Sequence, residues 1–396
     1  MPLKPFSTFV PMTPILKSRI AISTFFFVNG FLYANLMARI PELQAFFEIS
    51  NSTLGNMLFM VAFGALIALP LTGWLTIKFG SDIILRIATV LFCLSVPLIV
   101  IQENIWIAVF FAALTGAFMG AMDVCMNGQA IYVERLYKRP INSSFHAIFS
   151  IGMAVGAVTG GMFAKIGFTL FHHLMTFSVV LLIASILASF YVVEDVETAN
   201  KGNDHSKGFQ WPTKAIIPLG IIAFCSMTGE GSLTDWSSMF MNKVVGKDLA
   251  FSAFAFGVYA TGMTIGRLFG DRLRTMLGDR KLLVYNTILS FVGLSIAIFF
   301  ATPYTTLGGF FIVGLGVANI VPVIFSLAGN TKGVNPAVGI SMVTSIGYTG
   351  FFVGPPTIGY LSDLFNLRIA FTFTLLLFFV MLIFVLKFIK KNSIVE

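Results

Sequence analysis

The sequence predicts an all-α membrane protein with twelve transmembrane helices in two pseudo-symmetric six-helix bundles. Three observations predict it. Hydrophobic residues fill 57% of the 396 positions and charged residues only 11%, whereas a soluble domain is charged at about a quarter of its residues. Apolar stretches near the ~20 residues that one helical crossing of a bilayer requires recur twelve times along the chain. Patterns of glycine and polar residues in the first half return in the second at an offset near 200 residues.

Taken in order, the first span covers 20–38, behind Lys17 and Arg19. It exceeds the apolar part of a secretory signal, and Met37-Ala38-Arg39-Ile40-Pro41 follows in place of a small-residue cleavage site. Spans 2 to 6 cover 53–76, 83–101, 105–131, 144–164 and 172–193. The stretch 193–214 carries both signs of charge and little that packs, as a cytoplasmic linker does. It separates an N-terminal bundle, 1–192, from a C-terminal bundle, 215–396. Spans 7 to 12 cover 215–241, 250–271, 282–301, 305–329, 336–361 and 369–389. Barrel strands are excluded, because they alternate apolar with polar residues while 371–386 is apolar throughout apart from two threonines.

The repeat aligns Asn29-Gly30 with Glu230-Gly231, and the glycine pair 55 and 64 with 257 and 266. It aligns Gly120-x-x-Asp123 with Gly316-x-x-Asn319, and glycines 152, 156 and 161 with 350, 354 and 359. With the amino terminus cytoplasmic, 20 of the 25 Lys and Arg residues fall on that side, leaving Arg39, Lys165, Lys243, Lys247 and Arg368 outside. The positive-inside rule then puts both termini in the cytoplasm. The net charge of +8 reports topology, since the basic residues are scattered singly over short loops and form no nucleic-acid surface.

Local motifs add a family likeness. Gly73-x-x-x-Ile77-Lys78-Phe79-Gly80 is similar to the G-x-x-x-D-R-x-G signature of the major facilitator superfamily, with Ile77 in the acidic position. Gly270-Asp271-Arg272 with Gly278-Asp279-Arg280-Lys281 is similar to its second-half counterpart. Gly152-x-x-x-Gly156-Ala157-x-x-Gly160-Gly161 resembles the family's antiporter signature with Ala157 replacing proline, and Gly350-x-x-x-Gly354-Pro355 restores the proline. Small residues at this spacing also serve close helix contact alone, so direction of transport stays open. Span 4 departs from many proton-coupled members in lacking an intramembrane arginine. Segments 120–130, 229–240 and 314–325 resemble an uncharacterised bacterial branch loosely allied to sugar permeases. The resemblance covers the whole chain and implies secondary transport of a small polar solute by alternating access.

Ionisable side chains at the centre of a membrane helix cost about 2.5 to 3.5 kcal/mol or more to insert, so those present are functional candidates. Candidates for solute or proton binding are Asn29, Asp123, Asn127, His146, Glu230 and Asn319. Glu230 lies roughly 22 Å into span 7 at 1.5 Å per residue, at a depth similar to its repeat partner Asn29, and is expected to take a proton or a cationic group. Asp123 and Asn127 share a helix face, and His146 near the inner mouth suits proton exchange. Asp235, followed by Trp236, reads as a gate residue or an interfacial anchor, with the anchor preferred. Lys78, Glu134, Arg135, Arg267, Asp271 and Arg272 read as a cytoplasmic gate, and Phe31, Tyr33, Phe325 and Tyr348 as cavity aromatics.

No P-loop of the form G-x-x-x-x-G-K-[ST] occurs, which excludes that route to ATP. Cys93, Cys125 and Cys225 lie inside spans and suggest neither a disulfide nor a metal pair, and no cofactor is expected. The expected partners are a small solute, a proton and lipid, with the chain monomeric. Proton symport of a sugar-like solute competes with proton-coupled efflux of an amphipathic compound, and a non-transporting receptor on the same fold is a further class. A membrane enzyme is disfavoured, since the one adjacent histidine pair, His172-His173, has no acidic ligands near it in sequence.

Overall fold

A computed structural model describes residues 14–138, 141–194, 216–331, 334 and 336–389. Among them are thirteen α-helices and no strand. The linker expected over 193–214 lies almost wholly outside the described residues. The first half comprises α1 (Pro14–Ala38), α2 (Ile40–Phe47), α3 (Asn51–Phe79), α4 (Ser81–Leu98), α5 (Ile105–Tyr137), α6 (Asn142–Lys165) and α7 (Leu170–Ser189). The second comprises α8 (Ile217–Lys243), α9 (Leu249–Phe300), α10 (Pro303–Val317), α11 (Ile320–Gly329), α12 (Pro336–Leu364) and α13 (Leu367–Phe388).

Among the described residues nine stretches are long and apolar enough to cross a membrane. At 52 residues, α9 is about twice the length of one crossing, and it bends at Gly278, whose φ of 75° is left-handed backbone that glycine takes without strain. Gly80 makes the same turn between α3 and α4 with φ 87°. The pair α10–α11 forms a single broken crossing. With α8 and α12 the crossings number twelve. These two are less apolar because α8 carries Glu230, Asp235 and several serines and α12 is rich in Gly, Ser, Thr and Pro, as suits helices that face a cavity instead of lipid.

Two features were not expected. The short α2 starts on Pro41, fixed for a helix start, and ends at Glu48 in left-handed backbone. Span 10 breaks at Ala318-Asn319, and the Asn319 side chain donates to the Gly266 carbonyl at 2.9 Å, tying the break to α9.

Glycines set the helix pairs, and they do so twice. A β-carbon on Gly152 would stand 2.6 Å from the Phe27 carbonyl oxygen and one on Gly156 2.5 Å from that of Phe31, so α6 lies directly on α1. In the second half a β-carbon on Gly350 would meet Thr228 and the Phe224 carbonyl, seating α12 on α8. Gly64 and Gly116 bring α3 against α5, and Gly262 and Gly314 bring α9 against α10. With little hydrophobic drive between helices in lipid, such close packing is what holds them together. The glycine signature of α6 is thus occupied in packing.

The start of α1 and the residues after α7 share one face of the molecule, where Lys17 lies over the Tyr191 ring at 5.3 Å, and twelve crossings return the end of α13 to that face. Hydrogen bonds between the halves gather toward the opposite face. There the Asp363 carboxylate accepts from the backbone N–H groups of Asn51 (3.0 Å) and Ser52 (2.8 Å), the first turn of α3. Asn51 donates to Ser362 at 3.0 Å and Asn56 to Tyr360 at 3.1 Å. Gly55 and Gly359 let α3 and α12 touch, with the Pro355 and Asn51 carbonyls 2.6 and 2.5 Å from their would-be β-carbons. The halves are joined at the face away from the termini.

Candidate functional site

Beneath that joined face a cavity of about 320 Å³ lies between the halves. Helices α1, α3, α5 and α6 of the first half and α8 and α12 of the second line it. From α1 come Asn29 and Tyr33, one helical turn apart. The Asn29 amide donates to the Met119 carbonyl at 3.4 Å, which ties α1 to α5. The α3 wall is apolar, with Leu58, Val61 and Leu66 among its side chains. Phe149 and Met153 of α6, spaced by four residues, present a ring and a thioether, and α12 adds Tyr348, Phe351 and Phe352.

The polar floor comes from α8. Glu230, Gly231, Thr234 and Asp235 recur at helical spacing and so share one stripe facing the cavity. Glu230 accepts from the Arg267 guanidinium of α9 at 3.4 Å, and both side chains are half-buried. Asp235 accepts from the Tyr33 hydroxyl at 3.4 Å, a bond that spans the two halves. Asp123 of α5 faces the cavity across from α8, holding the Asn127 amide at 3.2 Å. Tyr348 lies within electrostatic reach of both Asp123 and Glu230.

Of the residues singled out from sequence, Asn29, Tyr33, Asp123, Glu230 and Tyr348 come together on this cavity. Asn127 stands behind Asp123. Four others lie apart from the lining. Asn319 is buried against Gly266 and Gly270, where it closes the break between α10 and α11. Phe31 packs on Phe27 and Phe177 inside the first half. Phe325 packs against the second-half core. His146 sits edge-on to the Phe26 ring at 5.3 Å, within electrostatic reach of Arg267.

The gate residues divide. Glu134 accepts from the backbone N–H groups of Ile141 and Asn142, both at 2.7 Å, and so anchors the start of α6. Arg135 lies over the Tyr132 ring and Lys78 over Trp74 and Phe79. Asp271 and Arg272 are exposed. The ion pair near that turn joins Arg274 to Asp279 at 2.6 Å, with Arg274 also donating to Ser326 at 2.9 Å. Arg267 lies deeper than a gate at the membrane edge, because it partners Glu230.

Asp235 corrects its reading as an interfacial anchor. Trp236 is fully buried and Asp235 lines the cavity. The recurrence of 230, 231, 234 and 235 on one helical stripe is the signal that marks it, and the neighbouring tryptophan masked it.

The family model described as Major Facilitator Superfamily matches residues 22–335 and 219–394. An MFS-type transporter of Yersinia pestis is 32% identical over 361 residues, 90% of this chain and 92% of that protein. In fold the chain is similar to the nucleoside transporter NupG, with TM-score 0.78 at 10% identity, covering 94% of this chain and 100% of the other. It is likewise similar to a D-xylose-proton symporter, with TM-score 0.77 at 14% identity, covering 96% and 99%. Twelve crossings in two glycine-paired halves around a central cavity with a polar stripe, together with these matches, make the chain an integral membrane transporter belonging to the Major Facilitator Superfamily.

Proposed function

We propose that the protein is a proton-coupled secondary transporter that moves a small, polar, sugar-like solute by alternating access. The observation that carries this reading is Glu230, on the lining of the cavity between the halves and paired with Arg267 of α9. A carboxylate that ion-pairs when bare releases its partner when protonated, so proton binding and the arrangement of α8 against α9 are linked there. Asn29, Thr234 and the hydroxyls of Tyr33 and Tyr348 supply donors and acceptors for a hydroxylated solute, and the rings of Phe149 and Phe351 supply flat faces for its carbon skeleton. The fold likeness to a D-xylose-proton symporter supports the same class. With both termini in the cytoplasm of a bacterial plasma membrane, as the distribution of basic residues favours, the joined face is the outer one and the cavity communicates with the inside.

Efflux of an amphipathic compound is the second reading, favoured by the apolar wall of α3 opposite the polar stripe of α8. Flux in proteoliposomes separates both from a receptor that binds without transporting. Counterflow of radiolabelled monosaccharides and nucleosides identifies a cargo, and an imposed pH gradient then drives its accumulation. Glu230→Gln is expected to abolish gradient-driven accumulation while leaving counterflow in place. Undiminished accumulation by that variant removes Glu230 from coupling.

A further inference from the structure

Helix α3 has two faces, and the one turned away from the cavity is left uncovered. Leu58, Ala62, Ala65 and Leu69 line the cavity, whereas Phe63, Ile67, Leu71 and Trp74 recur at helical spacing on the opposite side and are all exposed. At 1.5 Å per residue this apolar stripe is roughly 16 Å long, close to half of the ~30 Å hydrocarbon core and so to the depth of a single leaflet. Because α3 begins at the joined face, its end lies on the side of the termini. There the stripe runs on into Lys78, one turn beyond Trp74, whose ammonium lies 5.3 Å from the Trp74 ring and 5.0 Å from the Phe79 ring. Lys78 is exposed, and among the described residues no carboxylate stands within ion-pair distance of it. The next acid along the chain, Asp82, is held by Arg86 at 3.5 Å, and the position just before Lys78 is the apolar Ile77.

We infer that this face of α3 seats an anionic phospholipid from the leaflet on the side of the termini, its chains along Phe63 to Trp74 and its phosphate at Lys78. A cation at the membrane edge draws anionic headgroups, and a tryptophan there sits at headgroup level. The ammonium and the indole N–H are both donors, so one phosphate takes hydrogen bonds from the two. A zwitterionic lipid covers the same apolar stripe but brings its own cation close to Lys78, and the preference for a net negative headgroup follows from that difference. The seat is independent of the cargo and of proton coupling, since it lies on the side of α3 away from the cavity.

The test places the full-length protein in vesicles of phosphatidylglycerol and phosphatidylcholine in equal amounts, with brominated chains on one lipid or on the other. Bromine quenches tryptophan fluorescence on contact, and subtracting the signal of Trp74→Phe isolates Trp74. Quenching is expected to report an affinity for phosphatidylglycerol about fivefold above that for phosphatidylcholine, the worth of one lysine at an anionic surface. Lys78→Gln is expected to bring the ratio to one, and Lys78→Arg to preserve it. Equal quenching of wild-type Trp74 by the two lipids overturns the inference, as does a preference that survives Lys78→Gln. Absence of quenching by either lipid overturns it too, because the face is then covered by a second copy of the chain. The wild-type comparison decides even if a variant fails to fold.

Discussion

Arg267 is the side chain on which Glu230 depends, since among the described residues it is the cation paired with that carboxylate. Removing one partner leaves the other uncompensated, and because this pair is half-buried the cost falls below the about 3 to 5 kcal/mol of a fully buried pair. Arg267→Ala is expected to lower the thermal midpoint in detergent and to end proton-driven accumulation, while Arg267→Ala with Glu230→Gln recovers the midpoint but not the accumulation. A second residue-scale prediction concerns the bond between the halves at Tyr33 and Asp235. Tyr33→Phe removes the donor and keeps the ring, so it is expected to weaken binding of the cargo severalfold in a titration while leaving folding intact. Glu230 was legible in sequence because a carboxyl at mid-depth in an apolar span is rare and expensive. Asp235 was not, because a neighbouring tryptophan reads equally as a membrane-edge belt, and only the packing of α8 buries that indole. Asn319 misled in the opposite sense. Its repeat partner Asp123 faces the cavity, whereas the break after α10 turns the Asn319 amide onto α9.

At the scale of the helix, glycine spacing decides which helices can touch. Gly64 has no room for a β-carbon against the Ala113 carbonyl of α5, whereas Gly73 on the same helix has nothing within 4 Å. Gly64→Ala is therefore expected to destabilise by about 1 to 3 kcal/mol, the usual cost of overpacking, and Gly73→Ala to be neutral or slightly stabilising, both read from thermal unfolding. The existence and order of the crossings were readable, because about 20 apolar residues admit one explanation in a bilayer. The glycine repeat was readable too. Which neighbour each glycine faces was not, since that depends on the rotation of helices distant in sequence. The turn at Gly278 was plain as a gap between two apolar runs, but the breaks that make α2 and α11 separate helices arise from Pro41 and Asn319, single residues in otherwise helical surroundings.

For the molecule as a whole, the halves meet at the face opposite the termini and enclose the cavity beneath. The Asp363 carboxylate, set against the first turn of α3, joins a negative side chain to the positive end of a helix in the other half. Losing it removes two charge-assisted hydrogen bonds from this closure and from no other arrangement of the halves. Asp363→Ala is thus expected to shift the population toward opening at that face. The two-bundle architecture was legible from the offset repeat, but its closed face was not, because the contacts of Asn51 with Ser362 and Asp363 link positions about three hundred residues apart. Alternating access around the charged cavity is tested most directly by pulsed electron-spin distance measurement between labels at Ile166→Cys and Phe365→Cys, exposed positions on that face in opposite halves, with the buried native cysteines replaced by serine. The distribution is predicted to be dominated by a short distance in the wild-type background and to gain a longer population with Asp363→Ala and on lowering the pH, with Glu230→Gln removing the response to pH. One unchanging distance under all of these conditions would contradict the account.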